Sequence, residues 1–252
     1  MASLEDVTIL IPTFHRRGYL ERAVSDINSN LPDCKIVIVS DDGILTPDWA
    51  YDFWITLPYD AGLTSKRNAG VKASRTKYTL LGSDDFDFST LEFRRGLVRM
   101  TEVLDAHPEI DAVSGRVIRN DYEGFIEYVP GQYIKEHRLN KLSKPNYWQP
   151  HPVWKIDISH NFFLARTDVL LEVPWDESIR PIGGEHVDWF LDMKDANKVI
   201  VFLPTAEISE MDYDASMQHP DYLTFRSRCW DGHNLMMKKR DIKRYVSFDE
   251  EM

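Results

Sequence analysis

Short apolar runs rich in β-branched residues alternate with segments of helical period over the first third of the chain, and this alternation restricts the possible folds. Four such runs predict strands: "VTILI" (7–11), "KIVIVS" (35–40), "DFWITL" (52–57) and "KYTLLG" (77–82). Between them, "YLERAVSDINSNL" (19–31) and "LTSKRNAGVKAS" (63–74) have the period of helices. Strands connected through helices form mostly parallel sheets. We therefore expect an α/β fold with a mostly parallel central sheet flanked by helices.

The second half of the chain is less regular. Helical period predicts helices over 91–107 and 184–196, and apolar runs predict strands over 110–118, 124–129, 159–166 and 198–204. A segment rich in proline and aromatic residues, 141–155, is predicted to be a loop. Because the sequence contains no repeat and no clean linker, we expect one domain of 252 residues.

Composition restricts the function. The net charge of -11 argues against a broad nucleic-acid-binding surface. No apolar stretch approaches the roughly 18 to 20 residues that a membrane span needs, and the first residues lack a signal-peptide pattern. Two cysteines, Cys34 and Cys229, are too few for a disulfide framework. These observations predict a soluble, cytoplasmic protein with no membrane partner.

Each of the first four predicted strands ends in a polar cluster: "PTFHRR", "DDG", "PYDAG" and "SDDFD". In an open α/β sheet, ligands bind beyond the carboxyl ends of the strands. The four clusters are therefore expected to border one cleft.

The last of these clusters contains adjacent carboxylates, Asp84 and Asp85. Neighbouring carboxylates repel each other, so their presence at a strand end suggests a cation between them and a further negative group. Mg²⁺ or Mn²⁺ held by one or two carboxylates and by substrate phosphates is the usual arrangement. The alternative is a solvated acidic turn.

Three motifs in order resemble the family 2 glycosyltransferases and their relatives with the GT-A fold. "VTILIPTFHRRGYLERAV" resembles their first strand and helix, "IVIVSDDG" their second strand, and "AGLTSKRNAGVKASRTKYTLLGSDDF" their R-N segment and acidic D-x-D motif. The later "GGEHVDWFLDMK" resembles the G-G-E-[DH] segment of inverting members, and "SDDFDF" is most similar to β-1,4-N-acetylgalactosaminyltransferase-like proteins. The resemblance implies a GT-A (Rossmann-like) fold in which 1–90 bind a nucleotide, 91–220 bind the acceptor and 221–252 form a helical extension.

The resemblance also implies roles at the nucleotide end. Asp85 is expected to coordinate Mn²⁺ or Mg²⁺, with His219 as a further metal ligand and His233 as its competitor. Ser83 stands where many relatives have the first aspartate, which leaves the number of carboxylate ligands open. The residues expected to contact a UDP-sugar are Pro12, Thr13, Arg16, Asp41, Asp42, Lys66, Arg67 and Asp84.

Sugar transfer with inversion needs a general base for the acceptor hydroxyl. Glu185 is the candidate, and Asp188, three residues later on the same helical face, is the alternative. In relatives the base is often the acid that follows this glutamate, and here that position is His186. An imidazole is the poorer candidate, because its cationic form is disfavoured beside a metal site. Gly184, His186 and Trp189 are expected to contact the sugar or the acceptor.

The acceptor is not defined by the sequence: a glycan and a modified nucleic acid both stay open. Lysines alternate with aromatic residues in 141–155, and "MKKRDIKR" (237–244) adds five cations, so transfer to hydroxymethylated DNA bases is one alternative. The other interpretation is a loop over the acceptor cleft and a solvated helix. A nucleotidyltransferase is a further alternative, although "IPTFHRRG" is not a Gly-rich phosphate loop. The last alternative is a non-catalytic module that binds a nucleotide sugar. Such a module would not require Glu185 and Asp188, so the presence of these two acids favours an enzyme.

Overall fold

A computed structural model describes residues 4–43, 51–118, 124–138, 144–211 and 219–246. Seven α-helices are found in these ranges: α1 (Arg17–Asn30), α2 (Leu63–Ala73), α3 (Leu91–Ala106), α4 (Thr167–Glu172), α5 (Glu185–Asp195), α6 (Pro220–Ser227) and α7 (Cys229–Lys239). A single 3₁₀ turn, Leu4–Asp6, precedes the first strand.

The described strands form two sheets. They are β1 (Val7–Thr13), β2 (Lys35–Ser40), β3 (Phe53–Thr56), β4 (Tyr78–Leu81), β5 (Ala112–Ile118), β6 (Gly124–Val129), β7 (Tyr133–Arg138), β8 (Trp154–Lys155), β9 (Phe163–Arg166), β10 (Ile200–Ser209) and β11 (Arg244–Val246). The large sheet has the order β3-β2-β1-β4-β9-β5-β10-β8, and the small one β11-β7-β6. In the large sheet, β9 is antiparallel to both β4 and β5, and β8 is antiparallel to β10. The remaining pairs are parallel, so the predicted fold class is confirmed.

Helices cover both faces of the large sheet because its central strand is apolar on both sides. All seven residues of β1 are buried. Ile9 and Ile11 pack in one core layer with α1 and α3, whereas Leu10 packs in the other with α2, α4, α5 and α7. Alternation along a strand sends neighbouring side chains to opposite faces, and a strand covered on both faces is apolar over most of its length. The buried threonines of β1 form hydrogen bonds, Thr8 with Thr76 and Thr13 with Asp84.

The sequence predicted β1–β6, β9, β10, α1–α3 and α5, each within a few residues of its observed bounds. It did not predict β7, β8, β11 or α4. Part of the predicted loop 141–155 falls outside the described residues, and the rest includes β8. Among the described residues, no helix is both long and apolar enough to cross a membrane.

Candidate active site

A cavity of about 410 Å³ opens beyond the carboxyl ends of β1 and β4. Its lining comes from the first strand end, from the acidic segment after β4, from the start of α5 and from the two C-terminal helices. The predicted site residues in this lining are Pro12, Thr13, Arg16, Lys66, Asp84, Asp85, Glu185 and His186. The cavity thus joins segments that lie more than 170 residues apart in sequence, from Pro12 to Glu185.

Arg16 connects the two aspartates after β4. Its Nη1 donates to Asp84 Oδ1 at 2.8 Å and to Asp85 Oδ2 at 2.9 Å. The guanidinium lies between two aromatic rings, 4.4 Å from the centroid of Tyr19 and 4.6 Å from that of Tyr222. These contacts hold one positive charge against both carboxylates.

The two carboxylates have different environments. Asp84 is 3% exposed and accepts from Thr13 Oγ1 at 2.8 Å, and burial raises its pKa to about 6 despite Arg16. Burial also disfavours the charged form of Asp85, but Arg16 and a hydrogen bond from Ser83 outweigh it and lower the pKa of Asp85. Asp85 keeps a side chain that is 25% exposed in the cavity lining. It is therefore the more accessible ligand for a cation.

This donor set fits a hard divalent ion completed by phosphate oxygens. Mg²⁺ and Mn²⁺ prefer oxygen ligands, and one or two carboxylates are enough when the substrate supplies the rest. In the described part of the chain, Asp85 belongs to no group of three metal-ligating side chains. A site at Asp85 would thus depend on the substrate for its remaining oxygens.

The structure does not pair His219 with Asp85. The His219 ring stacks on His15, with centroids 4.3 Å apart and planes at 12°. Its Nδ1 accepts from the backbone N–H of Asp221 at 3.2 Å, which caps α6. His219 is outside the cavity lining, so the expectation of a shared metal site is not met by this geometry. His233, the competing residue, does line the cavity.

Asp41 and Asp42 stabilise the loops around the cavity and do not line it. Asp41 Oδ1 accepts from Lys66 Nζ at 2.6 Å, and Asp41 Oδ2 accepts from the N–H of Gly62 at 3.0 Å. Burial of this pair raises the pKa of Asp41 and lowers that of Lys66. Asp42 accepts from the N–H of His15, whose φ is 53°. Because neither Asp41 nor Asp42 lines the cavity, this arrangement shows no direct contact from either carboxylate to the nucleobase of a bound nucleotide.

Glu185 is in the cavity wall but is held on both oxygens. Oε2 accepts from the N–H of Gly183 at 2.6 Å, and Oε1 is 3.4 Å from Arg67 Nη1. Arg67 is 1% exposed, is absent from the lining and donates through Nη2 to Asn161 Oδ1 at 2.6 Å. Burial works against the charge of Glu185, but His186 and Arg67 together hold its pKa far below the ordinary value.

The two glycines before α5 allow the close approach of α7. Gly183 and Gly184 have φ of 98° and 75°, in the left-handed region that favours glycine. A Cβ on Gly183 would lie 2.0 Å from the carbonyl oxygen of Cys229, and one on Gly184 would lie 2.9 Å from Met236 Cβ. From the sequence, Gly184 is expected to contact the sugar or the acceptor. The observed neighbour of the pair is α7.

Asp188 and Trp189 lie in the interior, which differs from their expected roles. Asp188 is 1% exposed and accepts from Lys239 Nζ at 2.8 Å and from Arg240 Nε at 2.6 Å. Trp189 is fully buried, stacks between Phe163 and Trp175, and donates to a backbone oxygen. Neither residue lines the cavity.

The two stretches that suggested nucleic-acid binding also lie elsewhere. None of the described residues of 144–155 is in the cavity lining. Lys141 lies outside the described residues. In the second stretch, Lys239 and Arg240 are paired with four acids, Asp176, Asp188, Asp192 and Asp195. These cations anchor α7 to α5.

Of the wall that α6 and α7 contribute, sequence reasoning named His233, as a competing metal ligand, and missed the other residues. That wall consists of Tyr222, Phe225, Arg226, Cys229 and His233. One signal was present: Gly232 has no room for a side chain, because its Cβ would lie 2.2 Å from the oxygen of Gly183. A glycine within a helical segment can mark such close packing.

The strand order of the large sheet and the position of the cavity together define a GT-A fold, and solved structures of GT-A glycosyltransferases have the same fold. The structure of GalNAc-T7 with UDP, GalNAc and Mn²⁺ has a TM-score of 0.65 at 11% identity, covering 93% of this chain and 50% of that one. Mannosyltransferase PcManGT from Pyrobaculum calidifontis, in complex with GDP-Man and Mn²⁺, has a TM-score of 0.61 at 12% identity, covering 93% and 64%. No family model matches the sequence.

Among characterised proteins, the chain is similar to β-1,4 N-acetylgalactosaminyltransferases. It is 30% identical over 197 residues to the type 1 enzyme of Homo sapiens, covering 74% of this chain and 35% of the relative. Identity to the type 2 enzyme of Mus musculus is 27% over 194 residues, covering 74% and 36%. The chain therefore spans about a third of the length of these relatives. Its homologues and structural neighbours are glycosyltransferases, which confirms the resemblance expected from the sequence.

Proposed function

We propose that this chain is a metal-dependent glycosyltransferase that moves a sugar from a UDP-linked donor to a hydroxyl group. The observation that carries the proposal is the Asp84–Arg16–Asp85 arrangement in the wall of the cavity at the end of β4. The names of its relatives and neighbours support the same chemistry, since GalNAc-T7 was solved with UDP and Mn²⁺ and PcManGT with GDP-Man and Mn²⁺.

The cations of the cavity suit a diphosphate leaving group. Departure of a nucleoside diphosphate places negative charge on its phosphates, and fixed positive groups stabilise that charge. Arg16 and Lys66 both line the cavity, so their positive charges lie beside the place where the diphosphate would bind. Asp85, with Asp84 beside it, would hold Mn²⁺ or Mg²⁺, whose charge would offset that of the diphosphate.

Two features support a UDP donor over other nucleotides. The relatives are named as N-acetylgalactosaminyltransferases. A further structural neighbour, S. aureus TarS 1–349, was solved in complex with UDP. It has a TM-score of 0.52 at 13% identity, covering 82% of this chain and 60% of that one. Pro12 and Thr13, at the end of β1, line the cavity and would border the base. The assignment of 1–90 to the nucleotide and 91–220 to the acceptor is part of this proposal.

Inversion by a single displacement requires the base and the leaving group on opposite sides of the sugar. Glu185 and His186 at the start of α5 and the Asp84–Asp85 segment after β4 are separate parts of the same lining. In our proposal the donor sugar lies between them. In this proposal Glu185 is the general base that accepts the proton of the acceptor hydroxyl.

Donor binding and donor hydrolysis test the proposal without a known acceptor. In the presence of Mn²⁺, UDP should raise the melting temperature more than ADP or GDP at equal concentration. UDP-N-acetylgalactosamine should be hydrolysed slowly, and excess chelator should abolish this. Release of diphosphate from a nucleoside triphosphate would instead indicate a nucleotidyltransferase, and binding without turnover of any UDP-sugar would indicate a non-catalytic module.

A further inference from the structure

We propose that Asn161 is a specificity-determining residue of the donor site, and that its side-chain amide donates a hydrogen bond to an oxygen of the transferred sugar. This inference rests on the proposed glycosyltransferase function. It goes beyond that function because it names the side chain that recognises the sugar and the kind of group that it recognises. No role for Asn161 was predicted from the sequence.

The orientation of the Asn161 amide is fixed by Arg67. Arg67 Nη2 donates to Asn161 Oδ1 at 2.6 Å, and Arg67 itself is 1% exposed. A guanidinium carries hydrogen-bond donors and no acceptor, so the oxygen of the amide, and not its nitrogen, must face Arg67. The NH₂ group of Asn161 therefore faces away from Arg67.

This NH₂ group is available to a ligand. Asn161 lines the cavity, whereas Arg67 does not. Among the described residues, Asn161 Nδ2 has no hydrogen-bond partner, and it is not one of the enclosed nitrogen atoms that lack a partner. The cavity wall thus presents two N–H donors at this position.

Asn68 shows how an asparagine that only supports the fold is bonded in this protein. Its Oδ1 accepts from the N–H of Trp175, and its Nδ2 donates to the carbonyl oxygen of Trp175 and to Glu177 Oε1, each at 2.9 Å. Both ends of that amide are used within the protein, as is usual for buried polar groups. In Asn161 only the oxygen is used in this way, which leaves its nitrogen for a ligand.

The antiparallel pairing of β4 and β9 places Asn161 beside the acidic segment. Leu81, the last residue of β4, pairs with Phe163, the first residue of β9. Because the two strands run in opposite directions, the residues before Phe163 lie at the same edge of the sheet as the residues after Leu81. Asn161 and Asp84 both line the cavity at this edge.

On its other side, Asn161 is connected to Glu185. The same guanidinium that donates to Asn161 has its Nη1 3.4 Å from Glu185 Oε1, and Glu185 also lines the cavity. Asn161 therefore adjoins both the proposed metal side and the proposed base side of the cavity. In the proposed function the donor sugar lies between these two sides, so Asn161 is placed to contact it.

A neutral amide suits the sugar and not the diphosphate. The cations Arg16 and Lys66 line the cavity and match the charge of phosphates. An uncharged N–H donor instead matches a neutral acceptor oxygen, which on a sugar is a hydroxyl or the carbonyl of an acetamido group. A few polar groups placed in this way give a pocket its specificity.

The test measures binding by titration calorimetry in the presence of Mn²⁺, with UDP, UDP-galactose and UDP-N-acetylgalactosamine as probes. The variants are Asn161→Ala and Asn161→Asp. Asn161→Asp keeps an oxygen for Arg67 while removing both N–H donors, so it decides the matter if Asn161→Ala fails to fold. Asn146→Asp is the matched control: it adds the same charge, and Asn146 Oδ1 likewise accepts a hydrogen bond, from the N–H of Lys155 at 2.7 Å, but outside this cavity.

The ratio of the affinity for a UDP-sugar to the affinity for UDP isolates the contribution of the sugar. Asn161→Ala should lower this ratio about 3- to 10-fold, the effect of one lost hydrogen bond. Asn161→Asp should lower it by about 10-fold, because it places an acceptor opposite an acceptor. The effect of the added charge on the diphosphate is measured with UDP alone and cancels in the ratio. Asn146→Asp should keep the wild-type ratio.

The outcomes separate this proposal from the proposed function. A loss confined to UDP-N-acetylgalactosamine identifies the acetamido carbonyl as the recognised oxygen, and an equal loss with both sugars identifies a ring hydroxyl; either supports the role of Asn161. Wild-type ratios in both Asn161 variants would overturn that role while leaving the proposed function intact. A wild-type protein that binds none of the three probes contradicts the proposed function itself.

Discussion

Replacement of Asp188 by Asn tests whether this carboxylate serves stability or catalysis. The side chain is 1% exposed and accepts charge-assisted hydrogen bonds from Lys239 at 2.8 Å and Arg240 at 2.6 Å. Each hydrogen bond to a charged group contributes about 1.5–3 kcal/mol. Both cations keep other partners, Asp176 for Lys239 and Asp192 for Arg240, so part of the loss is offset. We expect the free energy of unfolding to fall by about 2–4 kcal/mol.

Urea unfolding followed by circular dichroism measures this loss directly. The midpoint should shift while the slope stays unchanged, and the melting temperature should fall by roughly 5–15 °C for a chain of this size. Asp195→Asn is the matched control. Asp195 lies on the same helix and pairs with the same Arg240 at 2.9 Å, but its side chain is 72% exposed, so less than about 1 kcal/mol should be lost.

Activity measured well below the melting temperature decides between the two roles. If Asp188 anchors α7, the folded Asp188→Asn variant should hydrolyse UDP-N-acetylgalactosamine at nearly the wild-type rate. Our reasoning would be refuted by a variant of wild-type stability whose affinity for an acceptor has collapsed.

Three further outcomes are expected. Asp85→Asn should abolish Mn²⁺-stimulated turnover with little change in melting temperature. Asp87→Asn is the control and should keep this turnover, since the Asp87 side chain accepts hydrogen bonds from nearby Ser89 and is absent from the cavity lining; equal activity of both variants would exclude Asp85 as the metal ligand. Burial raises the pKa of Cys34 to about 12, so iodoacetamide at pH 8 should leave it unmodified in the folded protein. Cys229 lines the cavity and should react slowly and be protected by UDP with Mn²⁺, which peptide mass spectrometry would detect; labelling unaffected by UDP would place the nucleotide elsewhere. A hydrogen bond from Lys239 lowers the pKa of Asp176 to about 2, so its stabilisation is present above the unfolded-state pKa near 4 and is lost as pH falls toward 2. Urea midpoints of Asp176→Asn should lie below wild type at pH 6 and converge with it near pH 2, and a constant difference over this range would refute the pairing.

Local patterns predicted most of the central sheet but could not predict strand direction. The apolar runs of β1, β2 and β4 are typical of buried parallel strands, and the structure places them so. The run at 159–166 has the same character, yet β9 is antiparallel to both neighbours. Alternation of side chains is identical in the two directions, so the sequence pattern alone does not distinguish them.

The acidic pair was recognisable from its adjacency in sequence, but its partner was not. Asp84 and Asp85 are neighbours, whereas Arg16 is separated from them by 68 and 69 positions. The three-residue spacing of Glu185 and Asp188 predicted that they share one helical face, and both residues lie in the first turn of α5. Their environments nevertheless differ, because α7 packs against α5 and leaves Asp188 in the interior and Glu185 in the cavity wall. This packing depends on the close contact of Gly183 and Gly232, which helical periodicity does not predict.

The position of β9 between β4 and β5 also affects how the chain can fold during synthesis. Until Phe163–Arg166 has left the ribosome, β4 has no neighbour on one side and exposes a row of unpaired backbone groups, which is a template for pairing with other chains. Synthesis at about 5–20 residues per second leaves this edge open for several seconds after β4 emerges. The order of strands in the sheet therefore leaves the edge of β4 open to pairing with other chains until β9 is synthesised.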